Sequence, residues 1–230
     1  MGASARVVYF DLDGVLVDSR PGIVACVAHV LRELAGAEIG ARRIERIIGP
    51  PLQVGFAELL AEIGRLGADT GPYVARYREL YTAVATNGGT ALQPGIVAML
   101  ADLAPQATLA VATSKPLRFA EPILQTLGIR PLFTVVAAPE PHTDGESKTE
   151  TLRRAIALTT GDETDVRAWM IGDRSHDIVA AHACGVTAVG ATWGFGSEAE
   201  LRDAGADIVV RAPAELVPAL FDSLSTARWA

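Results

Sequence analysis

The chain has 230 residues, half of them hydrophobic, with 27 acidic against 20 basic side chains and a formal net charge of −7. This allows one large domain, or one domain with a sizeable insert, around a substantial core. The negative balance argues against non-specific nucleic-acid binding, which needs a positive field. No apolar run approaches transmembrane length, so no membrane partner is expected either.

The two cysteines, Cys26 and Cys184, are too few for a disulfide framework. Each lies in an apolar helical pattern, and both read as core residues of a cytoplasmic protein. The first strand is expected to begin by about Val7, and no signal peptide is expected ahead of it. Of the 20 basic residues only Lys115 and Lys148 are lysines, so any chemistry that needs a lysine must use one of these two.

In chain order, residues 7–10 form a short apolar run, long enough for one buried strand. It is apolar on both faces, which predicts a central position in a parallel sheet. Residues 21–35, 42–48, 53–66 and 73–86 then read as amphipathic helices with no strand between them. A Gly-rich return follows, Gly88-Gly89-Thr90-Ala91-Leu92-Gln93-Pro94-Gly95. From residue 92 onward helix and strand alternate. Helices at 95–104, 117–127, 149–158, 176–184 and 197–204 precede strands at 109–112, 132–137, 167–171, 186–190 and 208–210. A last helix starts near Ala214. The pattern predicts an α/β fold, a Rossmann-like doubly wound parallel sheet with helices on both faces. The core would comprise 1–19 and 89–230, with 20–88 inserted as an all-helical cap.

The polar residues gather at the ends of the expected strands. The first strand runs into Asp11 and Asp13, then Gly14, and side chains two residues apart on an extended backbone start on one face. The next strand ends in Thr113-Ser114-Lys115-Pro116. Lys148 opens a helix, and a later strand ends in Gly172-Asp173-Arg174-Ser175-His176-Asp177. In an open parallel sheet the ligand crevice lies at these carboxyl ends, where strand order reverses. The residue types permit phosphoryl transfer through an aspartyl-phosphate. Asp11 would attack phosphorus, and Asp13 would protonate the leaving oxygen and then activate water. Thr113 would bind a phosphoryl oxygen, and Lys148 would pair with the nucleophile and the phosphoryl charge. Asp173, supported by Asp177, would hold a divalent metal, and oxygen ligands beside a phosphate favour Mg²⁺.

These segments resemble the motifs of the haloacid dehalogenase superfamily, and within it the phosphoglycolate-phosphatase-like hydrolases with a helical cap. Phe10-Asp11-Leu12-Asp13-Gly14-Val15-Leu16-Val17-Asp18-Ser19 is similar to the first motif, Ala112-Thr113-Ser114-Lys115-Pro116 to the second, and the 172–177 segment to the fourth. Lys148 stands for the third by position. The resemblance implies a Mg²⁺ site completed by the Asp11 carboxylate and the backbone carbonyl of Asp13. Gly194-Phe195-Gly196-Ser197 and Ala204-Gly205-Ala206-Asp207 resemble the family's C-terminal segment. One departure is Ser147-Lys148-Thr149-Glu150, where a Lys-Pro-x-Pro continuation is common. Another is the acidic loop before it, which runs from Pro139 to Glu146.

Substrate contacts are expected from Thr113 and Ser114, and from the cap. There Ile47-Ile48-Gly49-Pro50-Pro51-Leu52 resembles an active-site-facing segment, and Arg42, Arg43 and Arg46 could clamp an anion. His176 reads as solvent-facing, His142 as a polar-loop residue that could approach the pocket mouth, and His29 and His182 as packing residues in helices. Trp193 and Phe195 read as core or pocket wall. The expected partner is a small phosphorylated metabolite, and the expected state a monomer or homodimer. The expected activity is a Mg²⁺-dependent phosphatase for a phosphoglycolate-like monoester. A nucleoside-monophosphate or sugar-phosphate phosphatase, a phosphomutase, and a non-catalytic phosphate-binding module are the alternatives. A dehalogenase would not need Asp13, and a phosphonoacetaldehyde hydrolase would need a cap lysine that residues 1–114 lack.

Overall fold

The computed structural model describes residues 4–48, 52–87, 89–140 and 146–221. The chain divides into two compact units, Met1–Asp18 with Ala91–Ala230, and Ser19–Thr90. The elements, in chain order, are β1 (Ala5–Phe10), β2 (Val17–Asp18), α1 (Arg20–Ala35), α2 (Ala41–Glu45), α3 (Leu52–Glu62) and α4 (Gly71–Thr86). Then come β3 (Ala91–Leu92), α5 (Ile96–Leu103), β4 (Thr108–Ala112), α6 (Leu117–Thr126), β5 (Val135–Ala137) and α7 (Lys148–Thr160). The chain ends with β6 (Val166–Gly172), α8 (Ser175–Ala183), β7 (Thr187–Ala191), α9 (Glu198–Asp203), β8 (Ile208–Val210) and α10 (Leu216–Phe221).

Six strands form one sheet in the order β5-β4-β1-β6-β7-β8, and every neighbouring pair is parallel. The chain winds outward from β1 through β4 to β5. It then crosses to the other side of β1 and winds through β6 and β7 to β8. Strand order therefore reverses at β1, and the carboxyl ends of β1, β4 and β6 meet at the switch point.

Alternation along β1 assigns its side chains to two faces. Val7 and Tyr9 pack with Leu152 and Ala155 of α7 and with Ile178, Ala180 and Ala181 of α8. The small alanines let both helices approach the sheet closely. Val8 and Phe10 are fully buried as well, and Phe10 meets the Phe133 ring edge-on at 6.2 Å. The buried Tyr9 hydroxyl finds its partner in Thr159 Oγ1 at 2.6 Å.

The helical unit has its own core. Phe56 and Tyr73 pack with ring centroids 5.9 Å apart, and Tyr77 stacks on Tyr81 at 5.4 Å. The Arg65 guanidinium donates to the carbonyls of Leu34 and Ala35, which closes the C-terminal end of α1.

Three expectations are corrected, and one strand pairing is added. The strand expected at 132–137 is only Val135–Ala137, because Arg130–Leu132 forms a 3₁₀ turn around Pro131. The helix expected at 42–48 is the shorter α2. The helix expected at 53–66 ends at Glu62, ahead of Gly64, which takes a left-handed φ of 79°. Finally, β2 pairs antiparallel with β3 where the chain leaves the core unit and returns to it. Two-residue strands are too short for periodicity to reveal.

Candidate active site

Asp11 follows the last residue of β1 and stays in sheet register, its N–H donating to the Ile171 carbonyl at 2.9 Å. Lys148 reaches it from α7. That helix begins with a capping box: the Glu150 N–H donates to Ser147 Oγ, and the Glu150 carboxylate accepts the Ser147 N–H. Ser147-Lys148-Thr149-Glu150 thus replaces a proline-containing start with another strong helix initiator. A cation in the first turn of a helix opposes the helix dipole. Here two carboxylates offset that: Lys148 Nζ lies 2.7 Å from Asp11 Oδ1 and 2.8 Å from Asp177 Oδ1. The side chain is 4% exposed. Burial works against the ammonium, but Asp11 and Asp177 outweigh it and raise the Lys148 pKa above the ordinary lysine value. Lys148 is therefore a fixed positive charge at any physiological pH.

Asp177 is fully buried. Its Oδ2 accepts the N–H groups of Asp173 and Arg174 at 3.2 and 3.1 Å, and its Oδ1 faces Lys148. Burial disfavours its charge, but Lys148 leads the groups that hold it below the usual carboxylate range. Asp177 was expected as a metal ligand beside Asp173. Its Oδ2 is engaged by the turn, while its Oδ1 faces Lys148 and belongs, with Asp11 and His176, to a group whose ligand atoms lie within 4.8 Å of one another and could hold a metal ion.

Asp173 is buried under glycines. A Cβ at Gly14 would strike its carboxylate, one at Gly194 its Cβ, and one at Gly196 its carbonyl oxygen. Gly14 also has φ +89°, a backbone conformation that disfavours every other residue. Asp173 Oδ2 accepts the Phe195 N–H at 2.6 Å. Its Oδ1 is buried and has no hydrogen-bond partner among the described residues. Burial, then the neighbouring Asp177 and Asp11, push this carboxyl well above the usual carboxylate range. An orphaned carboxylate oxygen in an anionic cluster fits a hard divalent cation such as Mg²⁺. Asp11 and Asp173 would hold such a cation, with the Asp13 carbonyl as the resemblance implies.

The second strand end brings in the other lysine. Thr113 is 1% exposed, and its Oγ1 accepts the Lys115 N–H at 3.2 Å. Ser114 is exposed. Lys115 Nζ sits 2.8 and 3.1 Å from the two oxygens of Asp13. The sequence places Lys115 in the second motif but gives it no role of its own; the scarcity of lysines is the available signal. His176 is exposed as expected, yet a ring nitrogen lies within 4.8 Å of a carboxylate oxygen of Asp11 and of Asp177. That proximity was not foreseen.

Other expected site residues fare differently. Arg43 is tied to Glu58 and Glu62 within the helical unit, and Arg42 and Arg46 are exposed. Gly49, Pro50, Pro51, Gly88 and His142 lie outside the described residues. His29 and His182 are corrected: both are solvent-facing, beside Glu33 and Asp207 respectively. In the acidic loop, Glu146 is an internal strut, bound to Arg154 and Thr151. Trp193 is half-buried and donates its indole N–H to the Val15 carbonyl. Burial pushes the Cys26 and Cys184 thiols up, so neither is an activated thiolate.

This fold and this cluster define a haloacid dehalogenase-type hydrolase. The chain belongs to the haloacid dehalogenase-like hydrolase family, which matches residues 8–191. It is 35% identical over 223 residues to a protein named "Probable phosphatase IndB" from Dickeya dadantii, covering 93% of this chain and 92% of that one. It is 30% identical over 219 residues to a phosphoglycolate phosphatase of Agrobacterium fabrum, covering 94% and 92% of the two chains. Among solved structures it resembles Protein Tyrosine Kinase A (PtkA) of Mycobacterium tuberculosis. The TM-score is 0.76 at 35% identity, covering 96% of this chain and 100% of that one. The family and the phosphatases among these relatives make the chain a phosphatase-type hydrolase.

Two outcomes are expected. Lys148→Met removes the cation from a buried cluster of anions and should cost about 3–5 kcal/mol of stability. Chemical denaturation checks this, and an unchanged unfolding midpoint contradicts it. Asp173→Asn should do the opposite in EDTA. A carboxyl whose folded pKa is raised loses stability as pH rises through that value, so the variant's advantage in melting temperature should grow with pH. A variant less stable than the parent at pH 8 in EDTA contradicts the repulsion.

Proposed function

We propose that the chain hydrolyses a small phosphomonoester of the phosphoglycolate type, with Mg²⁺, through an aspartyl-phosphate on Asp11. The observation that carries this is the Lys148 ammonium held between Asp11 and Asp177, both carboxylates at the sheet's switch point. An isolated buried lysine would shed its proton rather than persist there. Kept charged, it can accompany an anionic nucleophile toward an anionic substrate.

Asp11 attacks phosphorus; the Asp11–phosphorus bond forms as the ester P–O bond breaks. Asp13, entering this step as the carboxylic acid, gives its proton to the departing oxygen and leaves as the carboxylate that Lys115 pairs with. The Thr113 hydroxyl donates to a phosphoryl oxygen, and Lys148 pairs with the phosphoryl charge. Water then attacks the acyl-phosphate while Asp13 takes its proton, which releases inorganic phosphate and restores Asp11. Asp11 and Asp173 would hold Mg²⁺, whose positive charge would lower the repulsion between the anionic nucleophile and the anionic substrate. The substrate class rests on the sequence resemblance and on the phosphoglycolate phosphatase among the relatives. The likeness to a protein named a tyrosine kinase is a reason to include phosphotyrosine among the substrates tested.

Phosphate release should be assayed on phosphoglycolate, a nucleoside monophosphate, a sugar phosphate and phosphotyrosine, with Mg²⁺ and with EDTA. Mg²⁺-dependent release without a bisphosphate activator is expected, strongest on phosphoglycolate. Asp11→Asn should reduce it on the order of 10³-fold or more while the protein stays folded. Near-parental release by that variant contradicts the covalent route. Release that requires a bisphosphate would favour a mutase.

A further inference from the structure

We infer that Glu200 is a positioning residue for Asp173, and through it for metal affinity, an inference that rests on the Mg²⁺ reading above. The turn between β6 and α8 exposes three successive N–H groups. Those of Asp173 and Arg174 go to Asp177 Oδ2. The third, from Ser175, goes to Glu200 Oε1 at 2.9 Å, and the same oxygen accepts Arg174 Nε at 2.9 Å. No motif reading of 172–177 alone could place Glu200 there, because it lies 25 residues further on, across β7.

Glu200 sits in the first turn of α9, where its N–H donates to the Ser197 Oγ cap at 3.1 Å. The loop just ahead of that cap carries Phe195, the backbone donor to Asp173 Oδ2. It also carries Gly194 and Gly196, which lie against Asp173 too closely for any Cβ. The Glu200 carboxylate therefore ties together two segments: the turn that bears Asp173 and the loop that orients its oxygens. With Oδ2 held by Phe195, Oδ1 is left as the oxygen presented to a cation. Glu200 touches neither that cation nor substrate.

Outer partners of metal ligands typically change metal affinity about 10–100-fold when removed. Glu200→Ala deletes both bonds. Glu200→Gln keeps the shape and an acceptor but loses the charge opposite Arg174. The readout is the Mg²⁺ midpoint, the concentration that half-saturates the folded protein in a calorimetric titration. It should rise about 10-fold or more in Glu200→Ala and at least about 3-fold in Glu200→Gln. The kcat at saturating Mg²⁺ should stay within a few-fold of the parent.

Leu201→Ala truncates a fully buried leucine on the same helix. It should lower the melting temperature without moving the Mg²⁺ midpoint, which separates positioning from general loosening. If Glu200→Ala does not fold, Glu200→Gln decides. A parental midpoint in the folded Glu200 variants overturns the inference while leaving the Mg²⁺ reading intact. No Mg²⁺-dependent stabilisation of the parent protein would overturn that reading, and this inference with it.

Discussion

The site depends on one buried ammonium. Lys148 sits between Asp11 and Asp177, almost wholly out of water. Charges so placed are costly unless paired with good geometry, and losing one partner leaves another stranded. Much of the surrounding structure serves that pairing. The Ser147–Glu150 box starts α7 at the residue that must point inward. The turn after β6 spends two N–H groups on Asp177, which anchors the far side of the bridge. The sheet supplies the third corner by ending β1 just before Asp11.

A second constraint is spatial. Asp173 is packed among glycines at 14, 194 and 196, drawn from two separate stretches of chain. Each removes a side chain that would otherwise occupy the space of the carboxylate or its backbone. The result is an anion held close to other anions, with one oxygen unsatisfied. That is an unfavourable arrangement for a protein alone and a favourable one for a protein with a divalent cation. Asp13 lies apart from this cluster in its bonding, paired to Lys115. The two lysines of the chain therefore attend the two carboxylates at the end of β1, one each.

The sheet was legible because its strands are short apolar runs between helices, and the polar residues at their ends stand out against them. The residues 7–10 run, followed at once by Asp11 and Asp13, gave both the central strand and the crevice. What escaped notice depended on distance in the chain or on brevity. β2 and β3 are two residues each and carry no period. Pro131 turned the start of an apolar run into a 3₁₀ turn. His29 and His182 lie on helices whose outer faces are only partly polar, so periodicity did not decide their side. Glu200 and Lys115 matter through partners 25 and 102 residues away, and spacing within a motif cannot report such contacts.

On the proposed route Asp11 bonds to phosphorus, with Lys148 beside it and Asp173 available to a cation. A crystal structure grown with beryllium fluoride and Mg²⁺ tests it most directly, because that anion mimics an acyl-phosphate on a nucleophilic carboxylate. The fluoride adduct is expected on an Asp11 carboxylate oxygen, with Lys148 Nζ within hydrogen-bond reach of it and Mg²⁺ against Asp173. An adduct on any other side chain, or a Lys148 turned away from it, would remove Asp11 from the nucleophile's role.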